Sequence, residues 1–155
     1  MNRDMLLWLL VGALVIAGLG TGVYLMTRGI RNNNPGNIRH GTSKWQGMSL
    51  QQLDDEYVTF DDPVYGIRAM AKLLKNYESR YGLDTVGGLI GRWAPPNENI
   101  TTAYVAAVSQ KLGVSPDHKI DVVGSLPRLI PAIIHHENGK QPYTVEQIKQ
   151  GIALA

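Results

Sequence analysis

The sequence predicts a mainly α-helical domain with a small irregular or β element near its start, preceded by one membrane-crossing apolar helix. Three observations predict this. Residues 5–26 carry no charge, apolar residues recur at helical spacing between capping signals after residue 62, and a loop-like stretch rich in Gly, Asn and Pro lies between.

The uncharged run comes first. A hydrocarbon core about 30 Å thick needs about 20 helical residues to cross it, and residues 5–26 are long enough. Trp8 and Tyr24 stand near the two ends, where amphipathic rings favour the headgroup region. Arg3 and Asp4 mark one border, Arg28 and Arg31 the other. A cleaved signal peptide with small residues Gly18 and Gly20 at its cleavage site is the rival. The run continues past Gly20 through Val23, Tyr24, Leu25 and Met26, which favours an uncleaved anchor. Gly18 and Gly22 have the small-xxx-small spacing of close helix pairs, a weak sign of dimerisation. Two units follow: an anchor at 1–27 and a domain at 28–155.

The domain keeps the whole chain's formal charge of +2, because Arg3 and Asp4 cancel. A mild positive charge suits a surface that meets an anionic polymer or lipid. It lacks the dense basic clusters of a nucleic-acid binder, so no nucleic-acid partner is expected. With no cysteine among its 155 residues, disulfides and thiol catalysis are excluded. Serine nucleophile elbows, Walker loops and dinucleotide fingerprints are absent too.

Residues 29–47 read as loops with at most short strands. Tyr57-Val58-Thr59-Phe60 is a strand candidate, being β-branched or aromatic. Asp62 as N-cap and Pro63 at the first helical position start a helix that runs to about Tyr81 and stops at Gly82. Its apolar positions are Ile67, Met70, Leu73, Leu74 and Tyr77. Asp84 or Thr85 caps a short helix ending near Trp93, which Pro95 and Pro96 terminate. A helix over 101–112 follows, stopped by Gly113. The next covers 126–137, with Pro127 in its first turn and Asn138-Gly139 as its stop. Thr144-Val145-Glu146-Gln147 has the form of a capping box for a C-terminal helix.

Glu137 carries the sharpest chemical signal. Leu126, Ile130, Ile133 and Ile134 form an apolar stripe, and Glu137 is the next residue on it. A carboxyl group thus stands where a core residue is expected, in the last turn of a helix. Partial burial and the negative helix end both disfavour its charged form, as a general acid for glycosidic cleavage requires. A solvated Glu near Lys140 or His136 is the plainer reading. His135 and His136 point about 100° apart on a helix and lack the spacing of a zinc helix, so no metal and no cofactor are expected. Asp62 is a cap, and Asp54, Asp55, Glu56 and Asp61 are a solvated edge or the source of a second carboxylate. The run Asn32-Asn33-Asn34-Pro35-Gly36-Asn37 is either a rigid structural loop built on Asx-turns or a set of amides for glycan hydroxyls.

The segment from Arg28 to Arg39 (RGIRNNNPGNIR) resembles a stretch of phage virion and prophage proteins, some of them cell-wall lytic. Trp45-Gln46-Gly47 and Phe60-Asp61-Asp62-Pro63-Val64-Tyr65-Gly66 before a helix are similar to the middle of lysozyme-like peptidoglycan hydrolases, notably lytic transglycosylases and glucosaminidases. The helix carrying Tyr104-Val105-Ala106-Ala107-Val108 after Trp93 resembles their substrate-lining region. Those families place a catalytic Glu-Ser-Gly at a helix end before this region, whereas here Glu137-Asn138-Gly139 lies near the C-terminus. The resemblance therefore implies a lysozyme-like α+β domain, circularly permuted, with Glu137 as acid. It implies peptidoglycan as substrate, with Asn34, Asn37, Trp93 and Tyr104 as glycan contacts. The implied protein is a membrane-anchored muralytic enzyme, a lytic transglycosylase before a hydrolase. The alternatives are a non-catalytic peptidoglycan-binding module and a structural membrane protein of a virion, contacting capsid or other virion membrane proteins. The expected location is the virion membrane or the bacterial inner membrane. By the positive-inside rule Arg28, Arg31 and Arg39 outweigh Arg3, which keeps the domain cytoplasmic and suits a phage protein that meets the wall only at infection.

Overall fold

The computed structural model describes residues 26–94 and 98–155. Among them are six helices: α1 (Arg28–Arg31), α2 (Pro63–Tyr81), α3 (Val86–Trp93), α4 (Glu98–Leu112), α5 (Val122–Asn138) and α6 (Val145–Ala153). Their ends follow from local chemistry. The Asp62 carboxylate accepts from the Val64 amide at 2.8 Å, Pro63 sits at the first helical position, and Gly82 closes α2 at φ +64°. There the amides of Gly82 and Leu83 satisfy the carbonyls of Glu78 and Tyr77, the left-handed ending that glycine favours. Thr85 caps α3, and Thr144 with Gln147 forms a reciprocal capping box on α6.

Helix α5 is the centre of the molecule. Leu126, Leu129, Ile130, Ile133 and Ile134 are fully buried along it, each worth about 2 kcal/mol of apolar burial. α2, α4, α6 and the short α1 all pack on α5, while α3 bridges α2 and α4. α5 begins at Val122, earlier than the expected residue 126, because Asp121 caps it through Gly124. Pro127 and Pro131 therefore lie inside the helix. Each removes one backbone bond, and the carbonyls they free belong to the exposed residues Val123 and Pro127, on the solvent side of the helix.

Two expectations are corrected. The first is the α+β character: no strand occurs among the described residues. Tyr57 bridges Arg39 while Phe60 bridges Met48, and the Phe60 amide turns to the Asn32 carbonyl. The segment 57–60 pairs with residues 32, 39 and 48 of the same long connection between α1 and α2, so no ladder extends beyond single bridges. The second is the single-pass membrane architecture and the location drawn from it. No helix among the described residues is long and apolar enough to cross a membrane, and the run at 5–26 that was to supply one lies, except for Met26, outside the described residues. The membrane-anchored assignment is set aside.

Candidate active site

Glu137 occupies the last turn of α5, half-buried at the edge of the core. Three donors from three different elements converge on its carboxyl group. Tyr104 of α4 donates its hydroxyl to Oε1 at 2.8 Å, and Trp93 at the end of α3 donates Nε1–H to the same oxygen at 3.3 Å. Asn37, from the loop after α1, donates Nδ2–H to Oε2 at 2.9 Å. A side chain with both oxygens engaged is held in one orientation, the condition for proton transfer along a fixed direction.

The Asn-rich loop delivers Asn37 by dividing labour among its amides. Asn32 donates to Asp54 at 2.9 Å, and Asn33 to the Phe60 carbonyl at 3.0 Å. Asn34 is fully buried. It donates to the carbonyls of Ile38 and Val58 and accepts from the Ile38 amide. Asn33 and Asn37 adopt the left-handed backbone, at φ +52° and +49°, which Asn tolerates better than most residues. Close approach fixes the loop from below. A Cβ at Gly66 of α2 would lie 2.2 Å from the Asn33 carbonyl oxygen, and one at Gly36 would lie 2.8 Å from the Trp93 ring. The loop backbone thus rests on α2 and on the indole that reaches Glu137.

Asn138 ties the same loop to α5. Its Nδ2 donates to the carbonyls of Pro35 and Ile134, and its Oδ1 accepts from the Thr27 hydroxyl at 2.7 Å. Farther out, Asp54 is a buried anchor. Arg28 grips it with two bonds of 2.6 Å, and the amides of Glu56 and Tyr57 each donate to it at 3.0 Å. The Arg28 guanidinium holds the Asp54 carboxyl well below the usual carboxylate range. Arg28 and Arg39 both reach Glu56 and both lie over the Tyr57 ring.

Burial, with the Glu137 carboxylate beside it, pushes the Tyr104 phenol far above its ordinary value. Tyr104 is therefore a hydrogen-bond donor at every physiological pH. Its ring stacks on His136 with centroids 3.7 Å apart. Burial pulls the His136 imidazole below its ordinary value, against the opposing pull of Glu137, so His136 is largely neutral at pH 7.

Of the five residues singled out from the sequence, Glu137, Asn37, Trp93 and Tyr104 come together. Asn34 does not join them; its amide is spent inside the fold, and its expected glycan contact is corrected to a structural pin. Tyr104 is 3% exposed, so it acts on the carboxyl group and not as a platform for sugar. Of the four candidate second carboxylates, Asp54 and Glu56 are taken by arginines, while Asp55 and Asp61 are exposed without an ion pair among the described residues. Asn138 escaped sequence reading, because an Asn before Gly at a helix end signals only a stop. The repeated Asn in Asn32-Asn33-Asn34 held no sign that Asn138, far along the chain, completes the same cluster.

No protein-family model matches the chain, so no lysozyme-like family is shown for it. A search of characterised proteins finds Protein P5 of Pseudoalteromonas phage PM2, 41% identical over 142 residues that span 90% of this chain and 88% of the relative. With that identity over nearly the full length of both, the chain belongs to the family of this bacteriophage protein.

Proposed function

We propose that this phage protein cleaves the glycan strand of peptidoglycan as a lytic transglycosylase, with Glu137 as general acid and then base. The observation that carries the reading is the convergence of Tyr104, Trp93 and Asn37 on one half-buried carboxyl group at a helix end. In its acid form Glu137 gives a proton to the bridging glycosidic oxygen as the C1–O bond breaks. The carboxylate left behind already faces three fixed donors, which stabilise the charge as it forms. It then takes the proton of the muramyl C6 hydroxyl as that oxygen closes on C1, leaving a 1,6-anhydro end and restoring the acid. This route consumes no water and needs one carboxylate. It suits a site in which Asp54 and Glu56 are bound to arginines.

The permuted lysozyme-like arrangement draws support from the Thr27–Asn138 bond, which sets the start of the described domain beside the end of α5. Such closeness of the two joining points makes permutation structurally inexpensive. In a phage the reading places the protein among virion components that open the host wall.

Purified sacculi incubated with the full chain test the proposal. Release of soluble muropeptides one water lighter than hydrolytic products is expected, and Glu137→Gln should lower the rate at least about a hundredfold. Wild-type rates from Glu137→Gln overturn the assignment. Binding of sacculi without release of fragments by the wild type leaves the non-catalytic wall-binding module in its place.

A further inference from the structure

A cleft of about 630 Å³ opens beside this site, lined by Ala107, Gln110 and Lys111 of α4, His135 and His136 of α5, and Gly139. Its volume falls in the range of sites for small organic ligands. Its lining holds one ammonium, two imidazoles and one amide, with no carboxylate. Lys111, like most lysines among the described residues, makes no ion pair there, so its ammonium is available to an anionic ligand. Ala107 and Gly139 leave room for a ligand backbone to come close. The cleft is joined to the candidate active site through His136, which lines it and stacks on the Tyr104 ring, whose hydroxyl meets Glu137.

We infer that this cleft receives the carboxylate-bearing stem peptide of peptidoglycan, with the Lys111 ammonium facing an acidic group and the two imidazoles and Gln110 as hydrogen-bond partners for its carboxylates and amides. The inference rests on the glycan-cleaving reading and deepens it. N-acetylated pyranose rings carry no charge, so an ammonium without a carboxylate neighbour next to the cleaved bond suits an acidic group of the stem peptide better than the sugars. The stem peptide hangs by its lactyl ether from the muramic sugar, the same sugar whose C1 bond Glu137 would open. A subsite for its carboxylates therefore has to adjoin the acid, as this cleft does.

Two polymers separate the possibilities: intact sacculi, and glycan strands stripped of their peptides by an amidase. The full chain is assayed on both for cleavage, and its Glu137→Gln form for pull-down. The wild type should prefer the stem-bearing polymer, and Lys111→Glu should lower that preference roughly tenfold, mainly through KM. A melting curve checks that the exposed substitution leaves the fold intact, with Lys111→Gln as the milder variant. Equal handling of the two polymers by the wild type overturns the inference while leaving the glycan-cleaving reading in place. So does an equal loss on both in either Lys111 variant. Failure to bind or cleave either polymer removes both.

Discussion

Asp54→Asn is the most informative perturbation of the scaffold that carries the site. The carboxylate is buried and accepts five bonds: two from Arg28, one from Asn32, and one each from the amides of Glu56 and Tyr57. An amide keeps the shape but turns one acceptor into a donor that faces the guanidinium or the Asn32 amide. Removing one partner of a buried pair costs about 3–5 kcal/mol. Arg28 is 38% exposed, so its stranded charge recovers part of its hydration and the loss falls near the low end, about 3 kcal/mol. For a domain of this size that lowers the melting temperature by roughly 10 °C. The effect has a pH signature. Because the folded state holds the Asp54 carboxyl below its ordinary value of 3.8, its contribution is present above that value and is lost as pH falls below it. The gap between wild type and Asp54→Asn should be full at pH 7 and shrink below about pH 4. Thermal unfolding followed by circular dichroism across this range is the assay. A gap under about 3 °C at pH 7, or one that persists undiminished at pH 3, refutes the reasoning.

Two further substitutions probe the site itself. Tyr104→Phe deletes one hydroxyl bonded to Glu137 while keeping the ring stacked on His136; stability should fall by about 1 kcal/mol, and sacculus-degrading activity by roughly tenfold, in paired melting and turbidity assays. Gly66→Ala forces a methyl group against the Asn33 carbonyl, with no flexible side chain to yield. It should cost about 3 kcal/mol or more and displace Asn37 from Glu137, so denaturant unfolding and activity should fall together.

Much of the helical frame was legible because its signals are local. Asp62-Pro63, Gly82, Thr85, Gly113, Gly139 and the Thr144/Gln147 box each act within one turn of chain, and the elements end where those residues stand. Asp121 is missed because Pro127 reads as a first-turn marker, although the buried Val122 already lies on the apolar stripe of α5. The strand over 57–60 failed for a different reason. β-branched residues report a fit to a pleated, half-buried surface, and here that surface is made by the irregular connection between α1 and α2 and not by a neighbouring strand. The stripe logic located Glu137, since a break in a period can be seen in one dimension. The partners of Asn32, Asn33 and Asn34 could not be seen, because hydrogen bonds to distant carbonyls leave no mark on spacing. Membrane passage was inferred from composition at residues 5–26, while the described helices draw their apolarity from packing on one another.

The Thr27–Asn138 and Asn37–Glu137 bonds join residues 111 and 100 positions apart. Synthesis runs from the N-terminus, so the Asn-rich loop, α2 and α4 all leave the ribosome before α5, on which they pack. Contacts of such sequence separation form late and slowly. Until α5 docks, Tyr104, Trp93 and Asn37 have no carboxyl group to hold, and the loop after α1 lacks its Asn138 tie. Completion of the chain is thus the event that assembles the site. A nascent or truncated copy lacking the last quarter of the sequence would carry all three donors and no carboxyl group for them to hold.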